Sequence, residues 1–261
     1  MPSVERVAIV THGKPATVGD AVARVEELAK RAGVAIVDDG ESHDLCVVLG
    51  GDGTMLRALK SHLGTDVAVL GVNFGRVGFL TSIGADELEP GLLRAFAGEY
   101  EVVELPTLEA EVGGQRVTAV NDTVAGSSKI GRMIELGWSV GGEDLGVLAC
   151  DGVIVSTPSG STAYNLSNGG PVLVWGIDAM AVTFIAPHSL HARPLVVPRS
   201  APVVVENRTA DVPVTVLADG HEVAQLDEGG TATITLGPER SRLATLRDVT
   251  FFRRYRHTFA S

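Results

Sequence analysis

Cysteine is nearly absent. Cys46 and Cys150 are the only two in 261 residues, too few for a disulfide framework, and each adjoins an apolar run, where a thiol behaves as a small hydrophobe. Basic runs are missing as well: nothing exceeds the Arg253-Arg254 pair and the formal net charge is -11. That excludes a nucleic-acid binder, because counterion release needs a basic face. No apolar run approaches the ~20 residues that span a bilayer. The stretch Met1 to Val10 lacks the basic segment and long apolar segment of a secretory leader. No membrane partner is expected, and a cytoplasmic location is. Short-period repeats and low-complexity tracts are also lacking, so neither a solenoid nor a disordered tail is indicated.

What is present is 45% hydrophobic and 20% charged, with 31 glycines, the profile of an ordinary globular protein of one large or two small domains. A small anionic ligand is compatible with the acidic balance, provided backbone N–H groups, individual arginines or a divalent cation offset it.

Along the first third, short β-type runs alternate with helical patterns. Val7 to Val10 reads as a strand, and Val18, Val22, Val25 and Ala29 recur at helical spacing through Ala32. Val34 to Val37 and Leu45 to Leu49 are strands, Thr54 to Leu63 a helix, Val67 to Val72 a strand and Asp86 to Ala97 a helix. Such alternation predicts an α/β domain with a parallel, doubly wound sheet. From Leu108 onward the pattern becomes β-runs separated by Gly, Asn and Asp, at 108–112, 117–120, 134–140, 153–156, 181–185, 203–206, 214–217 and 231–236. That predicts a mainly antiparallel, sandwich-like β domain with one helical interruption around Ser161 to Ser167. The boundary reads near Glu101 to Leu105, giving domains of 1–103 and 104–245. The aromatic and basic tail, 246–261, is expected to pack back on the first.

Three segments carry chemistry. Leu45 to Thr54 is an apolar strand running into Gly50-Gly51-Asp52-Gly53-Thr54 and a helix. Glycines let a backbone approach a phosphate, and the helix N-terminus supplies unpaired N–H groups and positive dipole. Asp52, at the carboxyl end of a parallel strand, is placed to take a proton from an attacking hydroxyl, although the same residue can merely cap a helix. Neither a GxxxxGK[ST] loop nor a GxGxxG fingerprint is present. The second segment, Gly71 to Thr81, is another strand emptying into a glycine-rich loop; its Phe79 is a candidate to line a base pocket or simply to join the core. The third, Asp151 to Tyr164, feeds a turn holding Ser156, Thr157, Ser159, Ser161 and Thr162, hydroxyls that suit ribose and phosphate oxygens or a plain Ser/Thr turn. His188 and His191 stand at i, i+3, but no carboxylate or cysteine cluster accompanies them, so no protein metal site is read.

GGDGT, GVNFGRVGFLT, DGVIVSTPSGSTAYNLSNGGP and PHSLHARPL, in this order and spacing, resemble the NAD kinase family over most of the chain. GGDGT alone is shared with diacylglycerol, sphingosine and phosphofructo-kinases, whereas STPSGSTAY is specific to NAD kinases. The resemblance implies an α/β domain, a β-sandwich-like domain and a site between them. It implies that Asp52 is the base toward the adenosine ribose 2′-hydroxyl of NAD, that Gly53 belongs to the phosphate turn and that Arg57 meets phosphate. Asn121 and Asp122, matching an Asn-Glu pair, would grip the adenosine ribose. Thr162, Ala163, Tyr164 and Ser167 would surround the dinucleotide, with Asp151 on the nicotinamide side and Phe79, Ala186 and His221 completing the wall. Asp122 is one methylene shorter than the family's Glu, Ala149 replaces a position often basic, and Ser159 replaces the commoner Thr. The donor would be ATP or polyphosphate carrying Mg²⁺, held mainly by the donor's own phosphates. A homodimer or homotetramer is implied. Other readings are a lipid or sugar kinase of the GGDGT superfamily, or a non-catalytic dinucleotide sensor.

Overall fold

The structure, a computed structural model, describes residues 3–11, 15–74 and 78–259. Gly75, Arg76 and Val77 of the second glycine loop lie outside the described residues. The chain forms two compact units, Met1–Leu105 with Arg240–Ser261, and Pro106–Glu239; the sequence reading divides it at 103/104 and 245/246.

The first unit is built on a parallel sheet of β1 (Arg6–Thr11), β2 (Ala35–Val37), β3 (Leu45–Gly50), β4 (Ala68–Asn73) and β5 (Ile83–Gly84), in the order β2-β1-β3-β4 with β5 beside β4. Every residue of β3 is buried, as a parallel strand covered on both faces must be. On one face, α1 (Pro15–Ala32) and α3 (Leu88–Phe96) present Val18, Ala21, Val25, Leu88 and Leu92 to a core shared with Leu45, Val47, Leu49 and Leu70. Alternation along β3 sends Cys46 and Val48 to the other face, where α2 (Asp52–Ser61) buries Met55 and Leu59. Each such fully buried side chain is worth about 1.5–3 kcal/mol over its exposed state. Both cysteines are free and buried, and burial pushes each thiol up to about 12, so they sit in the core as inert hydrophobes.

The second unit holds two antiparallel arrays. One runs β13 (Leu195–Pro198), β12 (Ala179–Ile185), β11 (Gly152–Ser156), β8 (Asp122–Ser127), β15 (Val214–Ala218), β16 (His221–Leu226). The other runs β10 (Glu143–Cys150), β9 (Ile134–Val140), β14 (Val203–Asn207) and the start of β17 (Thr231–Leu246). Alternate residues of both enter one core, with Leu136, Val203 and Val205 meeting Val153, Val155, Val182 and Val216, and Trp138 set edge-on to Phe184 at 5.1 Å. β6 (Tyr100–Val112) pairs there with β7 (Gln115–Ala119), and α4 (Tyr164–Ser167) is the helical interruption. Past Arg240, Leu243 and Ala244 of β17 pair in parallel with β4 of the first unit, and α5 (Phe251–Phe259) follows. No described helix is long and apolar enough to cross a membrane.

Candidate active site

In the first unit Asp52 is the first residue of α2. The N-cap is Gly51, which makes no side-chain cap, so the helix-capping role open to Asp52 in the sequence is not the one it plays. Its carboxylate instead accepts two backbone N–H bonds, from Phe79 to Oδ2 at 2.7 Å and from Leu80 to Oδ1 at 2.9 Å. Each oxygen keeps a further lone-pair direction. The space over Gly51 and Gly53 is open to 4 Å. Arg57 is exposed one turn beyond Gly53 on the same helical face, and since helical side chains lean toward the N-terminus it reaches toward that space.

The segment that clamps Asp52 is itself held by Arg254 of α5. This guanidinium, 5% exposed, donates to the carbonyls of Phe79 and Thr81 and to the hydroxyls of Ser82 and Thr245. Burial pulls its pKa down to about 10 while Asp52 draws it up, so it stays charged at neutral pH. The Phe79 ring is buried against Phe251 at 5.3 Å and Phe259 at 6.1 Å; its side chain is committed to packing and its backbone to the clamp. A cleft of about 800 Å³ adjoins this segment, lined by Asn73, Gly78 and Thr81 and, from α5, by Arg253, Arg256 and His257.

In the second unit the polar centre is Asn121-Asp122 at the start of β8. Asn121 Oδ1 is buried without a hydrogen-bond partner among the described residues, and the Asp122 carboxyl, 7% exposed, is pushed up to about 6 by burial and then by Asp219. A buried amide oxygen wanting a partner, next to a carboxyl whose charge burial disfavours, is what a ligand hydroxyl would satisfy. Their backbone is fixed by Asp219, whose carboxylate accepts from the N–H groups of Val120 and Asn121 at 2.7–3.1 Å. Asp219 and Gly220 both have positive φ, 50° and 78°, the type I′ turn expected of Asp-Gly between two strands.

The hydroxyl-rich turn presses on the same place. A Cβ at Gly160 would overlap the Asn121 carbonyl and stand 2.7 Å from its Cα, so only glycine fits. Thr157 Oγ1 lies 2.7 Å from the Val120 carbonyl and accepts from Gly160 N–H at 3.0 Å. Ser156, Ser159, Ser161 and Thr162 all donate to backbone carbonyls as well. These hydroxyls therefore brace the turn behind Asn121, each with its proton already placed on a backbone carbonyl. Asn165, fully buried, bridges Ser161, Pro171 and Thr183, a structural role that the motif alone does not reveal.

The remaining sequence-derived residues divide into two groups. Thr162, Ala163 and the exposed Tyr164 and Ser167 follow the Gly160 turn, and His221, exposed, opens β16 just after Gly220. Register pairs Asp122 with Ser156 but Gly126 with Gly152. Asp151 and Ala186 therefore lie past the other end of β11, about 16 Å away at strand rise. Both are exposed, and Ala186 holds a positive φ of 43°, a costly conformation for alanine that often marks a functional loop. His188 and His191 are exposed and join no group of three metal-capable side chains among the described residues.

Residues 11–100 match the model of the ATP-NAD kinase N-terminal domain and 120–246 that of the C-terminal domain. The NAD kinase of Gemmatimonas aurantiaca is 37% identical over 82% of this chain and 76% of its own length. That of Heliobacterium modesticaldum is 37% identical over 90% and 85%. Among solved structures, an NAD kinase from Archaeoglobus fulgidus in complex with ATP aligns with a TM-score of 0.79 at 29% identity, covering 98% of this chain and 97% of that one. Yeast NADH kinase complexed with NADH aligns at 0.85 and 21%, covering 99% and 89%, a likeness of fold. With both family models matched across 11–100 and 120–246 and relatives at 37% identity over most of the chain, the chain belongs to the NAD kinase family of enzymes.

Proposed function

We propose that the chain phosphorylates the 2′-hydroxyl of the adenosine ribose of NAD, giving NADP, with Asp52 as the base that takes the hydroxyl proton. The observation that carries this reading is the Asp52 carboxylate, fixed by the Phe79 and Leu80 N–H groups beside the open glycine turn. A carboxylate so oriented needs no reorganisation when the proton moves. Asn121 Oδ1 and the Asp122 carboxylate accept hydrogen bonds from the ribose. The amides of the Gly51-Asp52-Gly53 turn and Arg57 stabilise charge on the transferring phosphoryl group.

ATP is the donor this reading favours, since the Archaeoglobus relative is solved with it; polyphosphate presents the same phosphoanhydride. Mg²⁺ would be held mainly by the donor's own phosphates and would supply charge neutralisation there. In agreement, the metal-capable group among the described residues is rich in imidazole, a donor set that Mg²⁺ avoids. Asp151 and Ala186 are proposed for the nicotinamide side of the dinucleotide, and a homodimer or homotetramer, as the family resemblance implies, for the working form.

The test is NADP⁺ formation from NAD⁺ and Mg²⁺ with ATP or polyphosphate, for wild type and Asp52→Asn. The variant is expected to bind NAD⁺ and to lose about 10²–10⁴ in rate. Near-normal turnover by the variant would remove Asp52 as base. Dinucleotide binding without turnover in the wild type would favour a sensor.

A further inference from the structure

We infer that Asp39, His43 and His62 form a binding site for a divalent transition-metal ion, with Zn²⁺ the best match, at the C-terminal end of α2. Two of these residues come from the segment between β2 and β3 and the third closes α2, so only the fold unites them. The two imidazoles are nearly inaccessible, with side chains 3% and 7% exposed. His43 Nδ1 lies 2.7 Å from the Glu41 carbonyl and His62 Nδ1 lies 2.9 Å from the Ala58 carbonyl.

A carbonyl can only accept, so each Nδ1 carries the hydrogen and each neutral ring is left with its lone pair on Nε2. Those two Nε2 atoms are 3.0 Å apart. Two lone pairs brought face to face in a buried position repel unless a cation joins them. Asp39 Oδ1 completes a triangle, 3.3 Å from His62 Nε2 and 4.0 Å from His43 Nε2.

Donors bound to zinc at 2.0–2.1 Å in a tetrahedron stand roughly 3.3 Å from one another, close to the 3.0 and 3.3 Å edges that meet at His62 Nε2; the 4.0 Å edge from Asp39 to His43 closes with a small turn of the half-exposed Asp39 side chain. A backbone carbonyl accepting the second ring N–H is the outer contact that metal-binding histidines use to fix tautomer and orientation. Two imidazoles and one carboxylate suit Zn²⁺ over the oxygen-seeking Mg²⁺ and Ca²⁺. Asp39 is 44% exposed, leaving a solvent side for a fourth ligand.

The site is separate from catalysis. Asp52 begins α2 and His62 caps its end, about 15 Å apart at helical rise. A bound ion would tie the 38–44 segment to the last turn of the helix that carries Asp52. That segment is anchored already, as the Asp44 carboxylate accepts the N–H groups of Glu5 and Arg6 at 2.8 and 2.9 Å, so little ordering remains for the metal to impose.

The experiment uses untagged protein stripped with chelator and titrated with Zn²⁺ or Co²⁺. The expected result is one ion per chain, the visible absorption of four-coordinate Co²⁺, and a melting temperature raised by roughly 5–10 °C at a hundredfold excess over Kd. His62→Gln should weaken binding by more than the 10–100-fold that loss of an outer partner costs. Asp39→Asn, which keeps both buried rings and hence the fold, should weaken it at least tenfold, and His188→Gln with His191→Gln should leave it unchanged. Absence of stoichiometric uptake by the wild type, with the imidazole pair sharing a proton instead, overturns the proposal. So does equal uptake by wild type and Asp39→Asn.

Discussion

Asp52 and Arg254 hold the same residue by opposite ends of its backbone: the Phe79 N–H donates to Asp52 Oδ2 at 2.7 Å, and the Phe79 carbonyl accepts from Arg254 Nη1 at 3.0 Å. The orientation of the proposed base thus depends on a buried cation 202 positions later in the chain, acting through the peptide between them. Arg254 is in this sense a positioning residue. Lysine at 254 keeps the charge but loses the planar fork that reaches two carbonyls and two hydroxyls together. Arg254→Lys is expected to lower kcat by roughly 10–100-fold, the cost of a small misplacement of a reacting group, while KM for NAD stays within about twofold. Steady-state kinetics beside a melting curve decide it. A raised KM with kcat intact would assign Arg254 to ligand binding instead.

Asp122 makes the chain sensitive to pH. Its carboxyl titrates at about 6 in the folded chain against an ordinary 3.8, so between those values the native state holds a proton that the unfolded state has lost. Stability on this account is full below about 4 and is lost as pH rises through 6, by about 1–3 kcal/mol in all. Asp122→Asn removes the dependence, and the gap in melting temperature should grow in the variant's favour from pH 4 to 7. Function runs the other way. An ionised carboxylate is the stronger acceptor for ribose hydroxyls, so KM for NAD should fall as pH rises through 6 in wild type and stay flat in the variant. A wild-type KM indifferent to pH would take Asp122 out of the ribose contact.

The sequence was legible where burial is two-sided. The run Leu45 to Leu49 is apolar without interruption because both faces of β3 are covered, and it announces a parallel strand and the turn after it. The strands that escaped reading are the two-residue β5, together with β8, β10, β13 and β16. Three of these, β10, β13 and β16, are sheet edges, where one side faces solvent and the alternation fades; Glu143 to Val147 is exposed throughout. Asp52 was legible because its motif is local. Arg254 was not, since nothing in Arg253-Arg254 says which arginine turns inward; that follows from α5 burying Phe251 and Arg254 on one side. The Asp-Gly pair at 219–220 carried a hairpin signal, yet its use as a clamp for Asn121 exists only once β15 lies beside β8.

Gly160→Ala should disturb the second unit and leave the first alone. The added methyl meets the Asn121 backbone, which cannot swing away as a side chain would. Overpacking of this kind costs about 1–3 kcal/mol, a fall in melting temperature of roughly 2–12 °C for a chain of this size, together with a higher KM for NAD as Asn121 is displaced. Gly19→Ala is the control, with nothing within 4 Å and a helical position that favours alanine. Equal behaviour of the two variants would mean that the 156–162 turn yields more easily than its packing implies.

Thr157→Val separates a wall from a ligand-binding group. If the hydroxyls of this turn served phosphate or sugar, removing one would slow the reaction to the extent that it had stabilised the transition state. The hydrogen bonds show another use: Thr157 Oγ1 serves the Val120 carbonyl and the Gly160 N–H at once, in a position with no exposure. Valine keeps the shape, orphans the Gly160 N–H and leaves the Val120 carbonyl to Ser159 Oγ alone, at about 1–3 kcal/mol. The expected outcome is a lower melting temperature and weaker NAD binding through a loosened Asn121, with kcat at saturating NAD within about threefold of wild type, less than the roughly 10²-fold that removal of an oxyanion-type donor brings. A kcat reduced by that larger factor in a variant that still melts normally would return Thr157 to the reacting groups.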